Sequence, residues 1–384
     1  MDRIVLKQIL DIINREDFFN SLLEFFESLN HLEHVTCVIH SIPDGKIPII
    51  YVNKNNSINQ AKYVKLFVGT QHNEYNGLFG ILELFKQIKN DKYSISNMLI
   101  DKQVLIFAPL MNPYGFLHPR KDNKSGYFLK NGTNLNRFWR KTFIPGYQST
   151  EKKVNDFPIP DEATLIKKIL QPYWDKEDTN IYIIDFHETS LLERFPKELS
   201  MQLTNYYKFD HWLKELIIKN IIKLYGMKYY RNPLFYKCNS SSDHTHMNLS
   251  IKQVDFLKEK LFEYLSNNFG KLPFYFVHSR RSKDYCTHLG NNIYNKLKDI
   301  LWETTFPVYD HKFHDHGCLV KMNDATNRDN LYCIELENQK QFFNIFEEIE
   351  KSKNDDNYFV NKLDLINKSL QLVKETIIEM ISSF

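Results

Sequence analysis

The sequence predicts an α/β protein with a mixed, mostly parallel twisted sheet flanked by helices. Three observations support this fold class: short apolar runs typical of buried strands, amphipathic helical segments between them, and polar side chains directly after several of the strands. In open α/β folds, ligands bind at the carboxyl ends of the strands. We therefore look for functional residues at those ends.

Two domains are predicted along the chain. Residues 1–33 form a helical cap, because apolar residues recur there at helical spacing. Residues 34–384 form the α/β domain, with a helix-rich insertion at about 200–270. The α/β domain opens with a β-hairpin, because two strand-like runs flank the turn sequence Pro43-Asp44-Gly45.

The elements of the α/β domain follow from apolar periodicity. Continuous apolar runs predict buried strands, and apolar residues spaced three or four apart predict helices. The predicted strands are 65–69, 104–109, 180–186, 272–277 and 331–334, and the predicted helices are 78–88, 163–170, 291–299 and 364–381.

Composition excludes several classes of function. The 384 residues are 42% apolar and 25% charged, as in an ordinary globular protein with a sizeable core. A net charge of +3 is too small to indicate a nucleic acid or a membrane surface as partner. No apolar run reaches the roughly 18 residues of a membrane span. We infer no obligate protein partner.

Cysteine usage and the N-terminus bear on the compartment. The five cysteines are widely spaced without a Cys-x-x-Cys pair, which excludes a disulfide framework and a thiolate zinc site. The N-terminus lacks the apolar core and cleavage site of a signal peptide. We therefore expect a cytoplasmic protein, or a periplasmic one if a leader has been removed.

Polar groups that can bind a metal follow several apolar runs. Gln71, His72 and Glu74 follow the first buried strand, His187 ends another, and Glu303 and Glu335 end later runs. A catalytic zinc ion takes three such ligands and keeps a position for water, whose pKa it lowers. A free carboxylate then carries the proton to the leaving amine. The set predicts amide hydrolysis, although each residue alone could be a hydrogen-bonded rim residue or a helix-start carboxylate.

The ordered motifs resemble the carboxypeptidase A-like zinc peptidases. They run from Gly69 to Gly77, from Pro109 through Asn112-Pro113-Tyr114-Gly115, and then through Arg120, Asn134-Leu135-Asn136-Arg137 and Asp185-Phe186-His187. The match covers residues 64–187 and extends to about 305. The Asn-Pro-x-Gly and Leu-Asn-Arg elements together are quite specific, whereas each alone is weak.

The resemblance implies a role for each matching residue. Glu74 and His187 are implied as zinc ligands. Asn136 and Arg137 are implied to bind the terminal carboxylate of a substrate, which suits a guanidinium fork. Arg120 is implied to stabilise the oxyanion, and Tyr285 is a candidate for the tyrosine that covers the substrate.

One position departs from the family pattern, and the general base is ambiguous. The first ligand position, counted back from Glu74, holds Gln71 instead of histidine, so either Gln71 or the neighbouring His72 would bind the metal. The Gln-x-x-Glu spacing resembles the cell-shape-determining peptidoglycan D,L-carboxypeptidases. The general base is Glu303 or Glu335, and Glu303 is preferred because it lies closer to His187 in the sequence.

The resemblance implies a zinc-dependent metallocarboxypeptidase. Its substrate would be a peptide with a free carboxylate, or an N-acyl amino acid if the chain is a deacylase similar to aspartoacylase and succinylglutamate desuccinylase. A third hypothesis is a non-catalytic protein that keeps Asn136 and Arg137 to bind a carboxylate on the same scaffold. Metal content separates the enzymes from the binding protein.

Overall fold

The structure is a computed structural model. It describes residues 15–53, 60–90, 92–94, 97, 99–118, 127–149, 151–189, 271–272, 274–301, 308–309, 318–322, 326, 328–339 and 356–383. The predicted insertion at 200–270 lies outside these residues, as do Arg120 and Glu303.

Eight strands within the described residues form one mixed sheet, in the order β1-β2-β4-β3-β5-β8-β6-β7. Four of the seven neighbouring pairs are parallel, including the three central pairs that join β4, β3, β5 and β8. The strands are β1 (Val35–Ile42), β2 (Gly45–Asn53), β3 (Tyr63–Val68), β4 (Gln103–Ala108), β5 (Asn180–Thr189), β6 (Phe274–His278), β7 (Val308–Tyr309) and β8 (Leu331–Gln339).

Eight α-helices surround the sheet in the described part of the chain. They are α1 (Arg15–Glu27), α2 (Asn76–Lys89), α3 (Pro113–Leu117), α4 (Trp139–Phe143), α5 (Lys152–Asp156), α6 (Asp161–Trp174), α7 (Lys283–Leu297) and α8 (Asp356–Ser382). Helices α1, α2, α7 and α8 supply buried residues to one core, on what we call the four-helix face. Helices α4 and α6 supply the core of the opposite, two-helix face. The predicted fold class is confirmed.

The predicted elements are present with changed bounds. The hairpin is β1 and β2, and Gly45 begins β2 with a φ of 142°, a conformation that favours glycine. The helix predicted at 291–299 begins at Lys283, because Cys286 and Leu289 extend its buried stripe by two turns. No helix in the described ranges is long and apolar enough to cross a bilayer.

Strand β5 serves both cores through its alternating side chains. Ile181 and Ile183 are buried on the two-helix face, whereas Tyr182, Ile184 and Phe186 are buried on the four-helix face. By the same alternation Asp185 and His187 follow Ile183 on the two-helix side. The strand thus directs Asp185 and His187 to one side of the sheet at its carboxyl end.

Two glycines allow close packing where β3 ends. A Cβ atom on Gly69 would overlap the backbone oxygen of Pro109, and a Cβ atom on Gly77 would overlap the backbone oxygen of Gly69 and lie 2.5 Å from Cβ of Phe186. Only glycine avoids these overlaps. The turn after β3 is therefore held tightly between β4, β5 and the start of α2.

Lys65 crosses the four-helix face from the central strand β3. Its side chain is fully buried, and its Nζ donates to the backbone oxygens of Met380, Ile381 (3.3 Å) and Ser383 (2.9 Å). These carbonyls belong to the end of α8, where a helix lacks internal donors. Lys65 thus binds the end of the last helix to the middle of the sheet.

A candidate metal centre at the strand ends

The parallel register of the central strands assembles the site. Val68 pairs with Asp185, and Asp185 pairs with Glu335, so the end of β3 lies level with Asp185 and Glu335. Strands β5 and β8 continue together for four more residues. On β8, Leu331 and Cys333 are buried on the two-helix face, and Glu335 follows them in the alternation. The turn after β3, His187 and Glu335 therefore meet at one edge of the sheet.

His187 lies at the centre of three carboxylates. Its Nδ1 is 2.7 Å from Glu74 Oε2, and its Nε2 is 2.8 Å from Asp185 Oδ2 and 4.0 Å from Glu335 Oε2. The backbone N–H of Glu188 also donates to Glu74 Oε2, at 3.1 Å. Both ring nitrogens are thus bound by acidic side chains that come from separate elements.

The electrostatics of the site follow from this arrangement. Burial by itself lowers the pKa of His187, but the neighbouring carboxylates Glu335, Asp185 and Glu74 hold that pKa well above its ordinary value. Burial raises the pKa of Asp185 to about 6. Burial by itself would raise the pKa of Glu74, but the imidazolium of His187 outweighs it, so this pKa is lowered. One positive ring among three carboxylates leaves a net negative site, which is compatible with a divalent cation.

Gln71 is buried beside this group, with both ends of its amide bound. Its Oε1 accepts a hydrogen bond from the indole Nε1 of Trp139 at 2.6 Å, and its Nε2 donates to Asp185 Oδ2. The residue is 1% exposed. The indole thus takes one of the two lone pairs of the amide oxygen, the atom through which Gln71 was predicted to bind a metal.

His72 has a different environment. Its ring stacks on Tyr127 with 4.8 Å between centroids, and lies 5.5 Å from the ring of His187. Burial lowers the pKa of His72 to about 4, so the ring is neutral near pH 7. Its Nδ1 is buried without a hydrogen-bond partner among the described residues. An unpartnered buried nitrogen needs an explanation, and a bound metal would supply one.

Asn136 and Arg137 lie close to the site. Both belong to a short 3-10 helix, Leu135–Arg137. Asn136 Oδ1 accepts from the backbone N–H of Leu319 at 3.0 Å, and Arg137 Nε donates to Glu151 Oε1 at 2.9 Å. The charge of Arg137 contributes to lowering the pKa of His72. Neither contact is with a ligand, so their predicted role stays a prediction.

The structure does not bring Tyr285 to this site. Tyr285 lies in the first turn of α7, which packs on the four-helix face, and its ring is 5.0 Å from that of Tyr182. Its hydroxyl is 3.5 Å from Ser383 Oγ, and burial raises its pKa. The face on which α7 packs places this side chain on the side of β5 opposite to Asp185 and His187.

Three residues of the site were not predicted. Asp185, Trp139 and Glu337 all contribute, and Asp185, His187 and Glu335 bring ligand atoms within 4.8 Å of one another. Glu337 pairs in register with His187, and burial with the nearby Glu335 raises its pKa well above the ordinary value. Asp185 and Glu337 each lie two residues from a predicted site residue on a strand, and this spacing is the signal that could have found them.

Comparison with known proteins supports the fold. No protein-family model and no curated protein matches this chain. A metallo-carboxypeptidase from Burkholderia cenocepacia has a similar structure, with a TM-score of 0.50 and 10% identity over 95% of this chain and 68% of that chain. The fold is metallo-carboxypeptidase-like.

Two further solved structures match with lower scores. Bovine thrombin-activatable fibrinolysis inhibitor gives a TM-score of 0.48 at 11% identity, over 96% of each chain. A Pseudomonas aeruginosa metallo-carboxypeptidase gives 0.47 at 11% identity, over 94% of this chain and 67% of that one. At such identities the likeness concerns the fold alone.

Proposed function

We propose that this protein is a metal-dependent hydrolase that cuts an amide bond next to a terminal carboxylate. The observation that carries the proposal is the environment of His187, which is bound by Glu74 and Asp185 beside Glu335, with the unpartnered nitrogen of His72 near it. Neutral imidazole and carboxylate groups at adjoining strand ends are the donors of catalytic zinc sites.

His72, Glu74 and His187 are the residues that would hold the metal. The donor set fits zinc, because it offers two imidazoles and a carboxylate in a buried, net negative site. When bound, zinc would lower the pKa of a water molecule and polarise the carbonyl of the substrate. Asp185 would orient His187 from the opposite ring nitrogen, as carboxylates commonly do for metal-binding histidines.

Glu335 is our candidate for the general base. Its Oε2 is 4.0 Å from His187 Nε2, so a carboxylate already lies at the strand ends where a proton must be moved. It would accept a proton from water and return it to the leaving amine. This favours Glu335 over Glu303, whose assignment as base remains the alternative.

Arg137 and Asn136 would bind the terminal carboxylate of the substrate. Arg137 is partly exposed and held by Glu151, which fixes its guanidinium near His72. Arg120 would stabilise the oxyanion. We propose a peptide substrate; an N-acyl amino acid offers the same terminal carboxylate and is the alternative, and a peptidoglycan stem peptide is a third class to test.

Metal content is the first test of the proposed function. Untagged protein is purified and its zinc measured by elemental analysis, before and after incubation with Zn²⁺ and dialysis. We expect one zinc per chain after reconstitution. Protein that stays without zinc would overturn the proposal and favour a carboxylate-binding protein.

Activity on defined substrates is the second test. C-terminally free and amidated peptides, N-acyl amino acids and stem peptides are compared with wild type, Glu335→Gln and Glu303→Gln. We expect turnover of a free-carboxylate substrate to fall by about 100-fold or more in Glu335→Gln and to persist in Glu303→Gln. Loss in Glu303→Gln alone would reverse the assignment of the base.

A further inference from the structure

We propose that Gln71 is a positioning residue and not a metal ligand. With Trp139 it forms a buried hydrogen-bonded series, Trp139–Gln71–Asp185–His187, which we call the indole relay and which fixes His187 for metal binding. This inference rests on the proposed function and adds to it residues that touch neither metal nor substrate.

The chemistry of the indole determines how the amide of Gln71 is oriented. A tryptophan Nε1 is only a donor, so the atom it contacts at 2.6 Å must be the amide oxygen. The amide nitrogen must then face Asp185 Oδ2, where it donates. The ambiguity between O and N that affects most glutamine side chains is thereby resolved.

The same logic continues to His187. Asp185 is an acceptor when ionised, so His187 Nε2, 2.8 Å from Asp185 Oδ2, carries a proton. The imidazolium must lose one proton to bind a metal, and because Nε2 keeps its own, the lone pair then lies on Nδ1, which is 2.7 Å from Glu74 Oε2. The relay thus selects the tautomer in which the metal-binding nitrogen faces the predicted carboxylate ligand.

Burial makes the relay sensitive to the loss of any member. Trp139 and Asp185 are fully buried and Gln71 is 1% exposed, so water does not readily replace a lost bond. A buried polar network that is only partly satisfied is costly. Loss of the indole donor would free the amide of Gln71 to rotate, and Asp185 Oδ2 would then be held only by His187 Nε2.

The segment that supplies Trp139 also has a role in the predicted substrate contact. Trp139 is the first residue of α4, and a single residue separates it from the 3-10 helix Leu135–Arg137. The indole relay therefore joins the segment of Asn136 and Arg137 to the histidine of the candidate metal centre. A substitution at Trp139 is expected to affect metal binding although this residue is not a ligand.

A Trp139→Phe substitution separates the relay from metal ligation by Gln71. Phenylalanine keeps an aromatic ring in the core but lacks the N–H donor. If Gln71 were itself a ligand, Gln71→Met would remove a donor atom and change the visible spectrum of bound Co²⁺. If the relay is correct, the zinc affinity of Trp139→Phe falls by about 10- to 100-fold, as for other residues that orient ligands.

The experiment measures Zn²⁺ affinity by competition with a chromophoric chelator, in wild type, Trp139→Phe and Gln71→Met. Trp174→Phe is the matched control, because Trp174 packs on Phe143 and Arg328 and has no contact with the relay. Thermal unfolding of each metal-free variant establishes that it is folded. Affinity in Trp174→Phe is expected to equal that of wild type.

Two spectroscopic measurements test positioning directly. At saturating Co²⁺, the visible absorption band of Gln71→Met is expected to match wild type, because no ligand has been lost. In the metal-free protein, the Nε2–H proton of His187, which faces Asp185 and is assigned by its loss in His187→Gln, is expected far downfield in wild type and weakened in Trp139→Phe. A purely structural role of Trp139 would leave that proton unchanged.

The outcomes distinguish the two proposals. Unchanged or tighter zinc binding in Trp139→Phe, or a Co²⁺ band that changes in Gln71→Met, would overturn the relay while leaving the hydrolase proposal standing. Wild type that binds no zinc would overturn the hydrolase, and the His187 proton would then decide by itself whether the relay orients this ring.

Discussion

The buried Lys65 predicts a stability that rises with pH. Lys65 is fully buried on the central strand, and burial lowers its pKa to about 7. In the unfolded chain a lysine has its ordinary pKa of about 10.4. Between these values the unfolded chain binds more protons than the folded protein, so the free energy of unfolding increases as the pH rises through this window.

The size of the effect follows from the two pKa values. One pKa unit corresponds to about 1.4 kcal/mol, and half of the folded molecules already lack the proton at a pH of about 7. Integration from about pH 7 to about pH 9 gives a gain of about 2 kcal/mol. Lys65→Met keeps the length of the side chain but has no titrating group, so it should lack this gain.

The assay is urea unfolding at several pH values, followed by far-ultraviolet circular dichroism. We compare how the free energy of unfolding changes with pH in wild type and in Lys65→Met. Lys62→Met is the control, because Lys62 is exposed and lies just before the same strand. If the free energy of unfolding of wild type and of Lys65→Met changes equally with pH, Lys65 keeps its proton in the folded protein. Its ammonium would then be stabilised by the carbonyl groups at the end of α8, and our reasoning would be wrong.

Three further predictions concern the strand-end site. Gly77→Ala should lower the free energy of unfolding by about 1–3 kcal/mol, measured by urea titration, because its Cβ would overlap the oxygen of Gly69. His72→Phe keeps a ring to stack on Tyr127 but should weaken Zn²⁺ binding by at least about tenfold, measured by chelator competition. Arg137→Lys should raise KM for a free-carboxylate substrate by about tenfold while kcat changes little, because lysine cannot form the bidentate contact, measured by steady-state kinetics.

Each of these has a contradicting outcome and a control. Gly132→Ala is the control for Gly77, because a Cβ there would contact nothing, although its φ of 79° adds backbone strain; if Gly77→Ala were the less costly of the two, the packing argument would fail. Wild-type zinc affinity in His72→Phe would exclude this ring as a ligand. An equal effect of Arg137→Lys on amidated peptides would exclude recognition of the carboxylate.

The fold was predictable because its signals are local. The turn from Gly69 to Gly77 could be recognised because an apolar run precedes it, its loop is polar and an apolar helix follows it. The close contacts at Gly69 and Gly77 explain why both positions are glycine. Apolar runs identify the buried strands β3, β4 and β5, as expected where helices cover both faces, although Lys65 interrupts the run in β3 and Asp185 the run in β5. These elements required no knowledge of distant contacts.

The parts of the site that could not be predicted depend on register and on side-chain partners. The choice between Glu303 and Glu335 was made on sequence distance, whereas the pairing of Asp185 with Glu335 is a property of the assembled sheet. Asp185 lies within the predicted buried strand 180–186, and the sequence does not show that its carboxylate contacts His187 and Gln71. The role proposed for Trp139 depends on one hydrogen bond to a residue 68 positions away.

The bond between Asn136 Oδ1 and the backbone N–H of Leu319 has a mechanical consequence for the site. It joins segments 183 residues apart, and Leu319 lies in the segment that precedes β8 and Glu335. A carboxylate only accepts hydrogen bonds, so it would bind the amide nitrogen of Asn136 while Oδ1 keeps this buried bond, whose loss would cost about 1–3 kcal/mol. Carboxylate binding at Asn136 and the position of Glu335, both of which are proposals, would thus be linked through a single amide side chain.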